Sequence, residues 1–181
     1  MDFPNIPLPV VFDRWDAAFD KLWEPLRRSA PLNRMFYLAS EVGDFGMVWL
    51  AIGAAQGALG PDSKTKMALR LAIAMGLESA LVNGFIKSFF KRQRPVWEQE
   101  RPRTLRKPRT SSFPSGHSSS AVTAAILLSA PVSAWTLVYA ILAAIVAMSR
   151  VHVKIHHITD IVGGLLIGAL YGTAVAAIWP L

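Results

Sequence analysis

The chain has 181 residues, of which 52% are apolar and 17% are charged, and its mean hydropathy is +0.35. This composition excludes an ordinary soluble domain, and the length excludes more than one domain. The absence of cysteine excludes disulfides, thiolate catalysis and zinc held by cysteine. The apolar runs are long, so the net charge of +7 favours an anionic membrane surface or substrate over nucleic acid. We therefore expect an all-α integral membrane protein.

Residues 10–28 have the pattern of an amphipathic helix. Apolar side chains such as Trp15 and Leu22 recur at helical spacing, and charged residues occupy the opposite face. The pattern favours a helix that lies in the membrane interface, and the alternative is a helix docked on the core of its own protein. We expect an N-terminal interfacial unit over residues 1–34 and a transmembrane domain over residues 35–181.

Five apolar stretches predict a bundle of about five membrane spans. A Gly-Pro-Asp turn at residues 60–62 and the pair Ala130-Pro131 separate some of them. Glu78 lies near the middle of the second stretch, where a carboxyl group must face protein or a cavity. Glycines recur every four residues along the last stretch, and we expect this stripe to serve packing inside the protein rather than dimerisation. The predicted spans are residues 35–59, 67–90, 115–129, 134–148 and 158–179.

Five spans place the polar segments 87–117 and 149–160 on the same side of the membrane as the N-terminal helix. This side carries 16 Lys and Arg residues, whereas the opposite side carries two, Lys64 and Lys66. Short loops rich in Lys and Arg stay in the cytosol. We therefore expect a multi-pass protein of the plasma or inner membrane whose polar segments face the cytosol.

Residues 149–160 carry a dense cluster of ionisable side chains between two apolar runs. Charges near hydrocarbon are unfavourable unless they are paired or line a polar cavity, so we expect a functional site here. His156 and Asp160 stand four residues apart, and in a helix they would lie on one face within hydrogen-bonding distance. This spacing predicts either an oriented imidazole or a zinc or iron site in which His152 is a third ligand.

Three short motifs on the predicted cytosolic side resemble those of a known family. They are Lys87 followed after six residues by Arg94-Pro95, then Pro114-Ser115-Gly116-His117, then Ser149-Arg150 followed by His156 and Asp160. In this order and spacing they resemble the type 2 phosphatidic acid phosphatase superfamily, which includes lipid phosphate phosphatases, glucose-6-phosphatase and the vanadium haloperoxidases. The resemblance covers about residues 67–180 and all three motifs match without departure.

The resemblance implies a membrane lipid phosphatase that needs no metal and no cofactor. It implies that His156 is the nucleophile, that Asp160 holds the other nitrogen of its ring, and that His117 protonates the leaving alkoxide and then activates water. A histidine suits both proton transfers because its ordinary pKa lies near working pH. Three cations among the implied phosphate ligands balance a phosphate dianion. The implied ligands are Lys87, Arg94, Ser115, Gly116 and Arg150.

The predicted substrate is a lipid phosphate whose tail stays in the bilayer. We expect a polyprenyl phosphate, a polyprenyl diphosphate, or a prenyl phosphosugar phosphate such as decaprenyl phosphoribose phosphate. The alternative substrates are the glycerolipids phosphatidate and phosphatidylglycerophosphate. The loop over residues 97–112 is predicted to contact the headgroup, and its arginines favour a second phosphate or a sugar. Those arginines are Arg101, Arg103 and Arg106.

Two other functions fit part of the sequence. A basic membrane protein without enzymatic activity would bind anionic lipid through residues 91–109. That function leaves His156 dispensable. Halide oxidation, as in the vanadium haloperoxidases, is disfavoured because those relatives are larger soluble proteins and this chain consists mostly of spans.

Overall fold

The structure, a computed structural model, describes residues 5–96, 104–106, 108, 110–129 and 134–181. These described residues form seven α-helices and no β-strand, which confirms the prediction of an all-α fold. The helices are α1 (Val11–Trp23), α2 (Ala30–Val42), α3 (Met47–Leu59), α4 (Asp62–Ser79), α5 (Gly116–Leu128), α6 (Ala134–His152) and α7 (Ile158–Ile178).

Several helices are long and apolar enough to cross a membrane. α6 and α7 meet this condition, as does the continuous helix Asp62–Phe89 that begins with α4, and α2 with α3 adds a fourth crossing if the bent pair is one span. α5 has 13 residues, about 20 Å of helix, which is less than the hydrocarbon thickness of about 30 Å. Most of its side chains are buried among the other helices. The chain is therefore a multi-pass membrane protein in which α5 is the central helix of the bundle.

The first predicted span, residues 35–59, is not one straight helix. α2 and α3 meet at 64° across a short 3-10 turn, Asp44–Gly46. Phe45 and Gly46 have φ angles of 56° and 69°, a left-handed conformation that an α-helix interior does not contain. The sequence does not show this bend, because an apolar run does not reveal the sign of φ. The break brings Asp44 to the end of the bundle where the motifs lie.

The glycine stripe of α7 packs against α5. A Cβ atom at Gly164 or Gly168 would overlap the backbone carbonyl oxygen of Ser115 or Ser119. Thr123 donates a hydrogen bond from its hydroxyl to the carbonyl of Gly168 at 3.0 Å. The prediction that the stripe serves internal packing is confirmed, and the close approach sets the start of α5 beside the start of α7.

At the opposite end of the bundle, Arg70 joins the ends of two helices. Its side chain is 1% exposed and donates to the carbonyl oxygens of Leu127, at 3.2 Å, and Trp179, at 2.8 Å. These carbonyls lie at the carboxyl ends of α5 and α7, where a helix offers them no partner of its own. Arg70 therefore holds α4, α5 and α7 together.

The N-terminal helix forms at the predicted position, as α1 followed by the 3-10 turn Glu24–Arg28. Two residues of its charged face, Asp16 and Arg27, are buried against the rest of the protein. Apolar side chains such as Trp15 and Leu22 are exposed. α1 is thus docked on its own protein through part of its charged face. The contact of its apolar face with the membrane interface stays a prediction.

Candidate active site

The three motifs meet at one end of the bundle, where the extension of α4 ends, α5 begins, α6 ends and α7 begins. They enclose a cavity of about 220 Å³. Six of the predicted site residues line it, namely Lys87, Arg106, Gly116, His117, Arg150 and His156. Chain segments far apart in the sequence therefore form one polar site.

His156 lies in the linker between α6 and α7 and is 2% exposed. Its Nε2 is 3.2 Å from Nη1 of Arg94, and its Nδ1 is 3.4 Å from Oδ2 of Asp160. Because a guanidinium group only donates hydrogen bonds, Nε2 carries the lone pair and Nδ1 carries the proton. Burial lowers the pKa of His156 to about 3 against the opposing effect of Asp160. The ring is therefore a neutral imidazole whose electron pair on Nε2 faces the guanidinium group of Arg94.

The carboxylate of Asp160 is fully buried and has several donors. Its Oδ2 accepts from the hydroxyl of Ser112 at 2.5 Å and from the backbone N–H of His157 at 2.8 Å. Its Oδ1 accepts from Nη1 of Arg92 at 2.5 Å. The contact with His157 is part of a capping box at the start of α7. These donors fix the carboxylate that faces the nucleophile candidate.

His117 lies in the first turn of α5, and its ring contacts residues next to the break between α2 and α3. Its Nε2 is 3.3 Å from the carbonyl oxygen of Ser40 and 3.2 Å from Oδ1 of Asp44. Since a carbonyl and a carboxylate only accept, Nε2 carries a proton, which leaves Nδ1 for proton exchange with a ligand. The bend in the first span therefore orients the second histidine of the site.

The three predicted phosphate-binding cations lie at the same end of the bundle as His156. Lys87 and Arg150 are buried and line the cavity, and Arg150 donates from Nη1 to the hydroxyl of Ser40. Arg94 lies beside the ring and donates from Nη1 to the backbone carbonyl of Ile155 at 2.9 Å. The site thus has three positive groups close to one neutral imidazole.

Ser115 and Gly116 form the start of α5. The Oγ of Ser115 caps the helix and accepts a hydrogen bond from the hydroxyl of Ser118 at 2.9 Å. The backbone N–H of Ser115 donates to the carbonyl oxygen of Asp160 at 3.0 Å. A Cβ atom at Gly116 would lie 2.6 Å from Oδ1 of Asn83, so a larger residue here would displace the side chain of Asn83. Free N–H groups in the first turn of a helix attract anions.

Of the three predicted headgroup residues, the structure describes Arg106. Arg106 lines the cavity and its guanidinium lies 4.5 Å from the ring centroid of Phe45, a cation–π contact. Arg101 and Arg103 lie outside the described residues. Glu78 lines the same cavity and is 1% exposed, which agrees with the expectation that it faces a cavity.

The three residues of the alternative metal site do not converge. Nδ1 of His152 accepts from Nε1 of Trp23 at 3.3 Å, and its Nε2 is 2.8 Å from Oδ1 of Asn33. His156 and Asp160 face each other at a separate place. Within the described part of the chain, no group of three or more His, Asp or Glu residues has the arrangement of a metal site.

The residues that orient the two histidines do not stand out in the sequence. Arg92 lies in the six-residue spacer of the first motif, and its contact with Asp160 carries no local signal. Asp44 stands between two glycines, at positions 43 and 46, and this pair was the available signal for a break in the helix. Ser40 and Ser112 belong to no sequence motif, so their contacts with the site residues could not be predicted.

Two comparisons with known proteins agree with the geometry. A family model described as the PAP2 superfamily matches residues 67–180, which contain all three motifs. The fold is similar to the crystal structure of a transmembrane PAP2-type phosphatidylglycerolphosphate phosphatase from Bacillus subtilis, with a TM-score of 0.65 and 24% sequence identity. The alignment covers 94% of this chain and 87% of that chain.

Proposed function

Since the chain belongs to the PAP2 superfamily, we propose that it is a membrane lipid phosphatase that acts through a phosphohistidine at His156. The observation that carries this proposal is the pair of oriented histidines at one cationic cavity. His156 presents a lone pair on Nε2, and His117 has Nδ1 left for proton transfer. A nucleophile and an acid–base group beside positive charges are what phosphoryl transfer requires.

In the first step, Nε2 of His156 attacks phosphorus and the bond from phosphorus to the lipid oxygen breaks. His117, which is protonated on both nitrogens once the phosphate dianion is bound, gives its Nδ1 proton to that oxygen, and the lipid alcohol leaves. Asp44 stabilises the positive charge of His117 before this transfer. Asp160 stabilises the positive charge that the ring of His156 acquires with the phosphoryl group.

In the second step, His117 is neutral and takes a proton from water at Nδ1. The resulting hydroxide attacks phosphorus, the bond from phosphorus to Nε2 of His156 breaks, and inorganic phosphate leaves. Lys87, Arg94 and Arg150 stabilise the charge on the equatorial oxygens in both steps. Because these cations balance the phosphate dianion, the proposed reaction uses no metal and no cofactor.

We propose a polyprenyl-type lipid phosphate, diphosphate or phosphosugar phosphate as the substrate. The cavity lies at the end of apolar helices, so a headgroup can enter it while a prenyl tail stays beside the spans. Arg106 lines the cavity, and in this proposal it contacts a second phosphate or a sugar of the headgroup. A glycerolipid phosphate is the second candidate, favoured by the name of the similar Bacillus subtilis phosphatase.

We further propose that the site faces the cytosol and that residues 1–34 form an interfacial unit. The excess of Lys and Arg on the side of the motifs supports this orientation. The exposed apolar side chains of α1 support contact with the membrane interface. A reporter fused after Leu181 should then be external. A cytosolic reporter would contradict the orientation.

The proposed function is tested by phosphate release from purified protein in EDTA. The panel contains a prenyl diphosphate, a prenyl phosphosugar phosphate, phosphatidate and phosphatidylglycerophosphate. We expect release that survives EDTA, is lost in His156→Ala and is fastest on a prenyl lipid. Fastest release from phosphatidylglycerophosphate would favour the second candidate, and activity that returns only with magnesium or zinc would contradict a metal-free site.

The role of Arg106 is tested with the same panel. Arg106→Ala should lose the preference among lipids, since it removes the cation at the cavity. The matched control is Arg34→Ala, because Arg34 is an exposed arginine of α2 outside the cavity. An unchanged preference in Arg106→Ala would show that this arginine does not select the headgroup.

A further inference from the structure

The N-terminal helix reaches the carboxylate of Asp160 through a buried series of hydrogen bonds. Asp16, in the middle of α1, is 6% exposed. Its carboxylate accepts from Nη2 of Arg92 and from the N–H and hydroxyl of Thr159, at 3.0 and 2.9 Å. Arg92 in turn donates from Nη1 to Oδ1 of Asp160 at 2.5 Å and to the hydroxyl of Thr159 at 2.7 Å.

Arg92 is the centre of this series. Its side chain is 11% exposed and lies between the carboxylates of Asp16 and Asp160, whose side chains are 5% and 0% exposed. A guanidinium group is a rigid planar fork, so the position of one carboxylate constrains the other. With Oδ1 of Asp160 held by Arg92, Oδ2 faces Nδ1 of His156. Without that contact, the broad terminal torsion of Asp160 would leave the carboxylate less ordered.

The turn that follows α1 holds the other end of the linker on which His156 lies. Arg27 donates to the carbonyl oxygens of Val151, at 3.0 Å, and His152, at 3.1 Å, in the last turn of α6. Asp20 and Glu24 hold its guanidinium group at 2.5 and 2.8 Å. The N-terminal segment therefore contacts the protein on both sides of the candidate nucleophile.

We propose that Asp16 and Arg92 are positioning residues for His156 and act through Asp160, a role that rests on the proposed function. Neither matches a fixed position of the three motifs, and Asp16 precedes the residues matched by the family model. Neither touches the reacting atoms. The orientation of Asp160 matters most when the bond to phosphorus forms, so their loss lowers kcat and leaves KM nearly unchanged.

The first test compares Asp16→Asn with Asp13→Asn in steady-state kinetics on a water-soluble, short-chain lipid phosphate. Asp13 lies one turn earlier on α1, is 80% exposed and is 3.7 Å from Arg92. We expect Asp16→Asn to lower kcat about 10- to 100-fold, the range known for removal of an outer hydrogen-bond partner behind the ligands of a site. KM should change less than about threefold. The control should keep its kcat within about twofold, because exposed ion pairs contribute little.

A double-mutant cycle separates positioning from general damage to the fold. If Asp16 acts through Asp160, adding Asp16→Asn to Asp160→Asn should lower kcat no further. If the double variant instead loses kcat by the full product of the two single losses, the proposal is overturned. Arg92→Lys keeps the charge but not the planar fork, and it should give the same loss of kcat. This variant also carries the test if Asp16→Asn does not fold.

Failure of this proposal differs from failure of the proposed function. If the wild-type protein is active and depends on His156, while Asp16→Asn and Arg92→Lys keep the kcat of the control, the positioning role is overturned. If the wild-type protein releases no phosphate, or His156→Ala keeps the full rate, both proposals are overturned.

Discussion

The contact between Asp44 and His117 gives the sharpest prediction about catalysis. Asp44→Asn replaces a carboxylate by a neutral amide of the same shape, 3.2 Å from Nε2 of His117. At this distance two unit charges attract by about 5 kcal/mol at an effective dielectric constant of about 20. Asp44 is 21% exposed and the carbonyl of Ser40 remains as an acceptor, so the net loss is smaller. A hydrogen bond to a charged group contributes about 1.5–3 kcal/mol.

That loss of free energy corresponds to a kcat about 10- to 100-fold lower, because about 1.4 kcal/mol is a factor of ten. Steady-state phosphate release measures it, and rapid-quench kinetics show whether the first or the second step is slowed. The matched control is Asp62→Asn, an exposed acidic residue at the far end of α4. A wild-type kcat in Asp44→Asn, or a change in KM alone, would refute the role of Asp44 in proton transfer by His117.

Three further predictions concern stability and protonation. Gly168→Ala should lower the stability by about 1–3 kcal/mol, since the added Cβ overlaps a carbonyl oxygen of α5. Gly76 has open space around it, so Gly76→Ala should be neutral or stabilising. Arg70→Met should lower the stability by about 2–4 kcal/mol, because two carbonyl oxygens lose a charged donor. Lys66→Met, at an exposed position of the same helix, should leave the stability unchanged. Unfolding in detergent measures both. His156, whose buried ring has a pKa of about 3, should stay neutral from about pH 8 to 5 in an NMR titration.

Each of these predictions has a contradicting result. Equal stability of Gly168→Ala and Gly76→Ala would show that α5 and α7 can move apart without loss. An Arg70→Met variant as stable as the Lys66→Met control would show that water satisfies the two carbonyls. Protonation of His156 near pH 6.5 would mean that the ring is open to solvent. The unfolded chain takes up this proton near pH 6.5 and the folded chain does not, so acidification below that pH should lower stability.

The sequence predicts the parts of this protein that depend on local spacing. The helical period of residues 10–28, the four-residue glycine repeat of α7 and the four-residue spacing of His156 and Asp160 all describe neighbours along one segment. Their structural consequences follow from helix geometry. The resemblance then implies which residues are catalytic and which bind phosphate, and the structure brings all of these residues to one end of the bundle.

The features that the sequence does not reveal depend on distant contacts. Asp16 reads as a solvated residue of an amphipathic face, but it is buried because Arg92, 76 positions later, neutralises it. The left-handed φ of Phe45 cannot be read from an apolar run, so the bend that delivers Asp44 was missed. Buried charges need partners, and the partners here come from distant segments of the chain.

The most direct test of the account is to trap the phosphoenzyme. His117→Gln removes the group that activates water, so a lipid diphosphate with a good leaving group should phosphorylate His156 faster than water releases the phosphate. Mass spectrometry after an alkaline quench should find one phosphoryl group on His156, and none in the His117→Gln/His156→Ala variant. A label on Ser112 or Ser115, or no label while the wild-type protein turns over, would contradict the histidine mechanism.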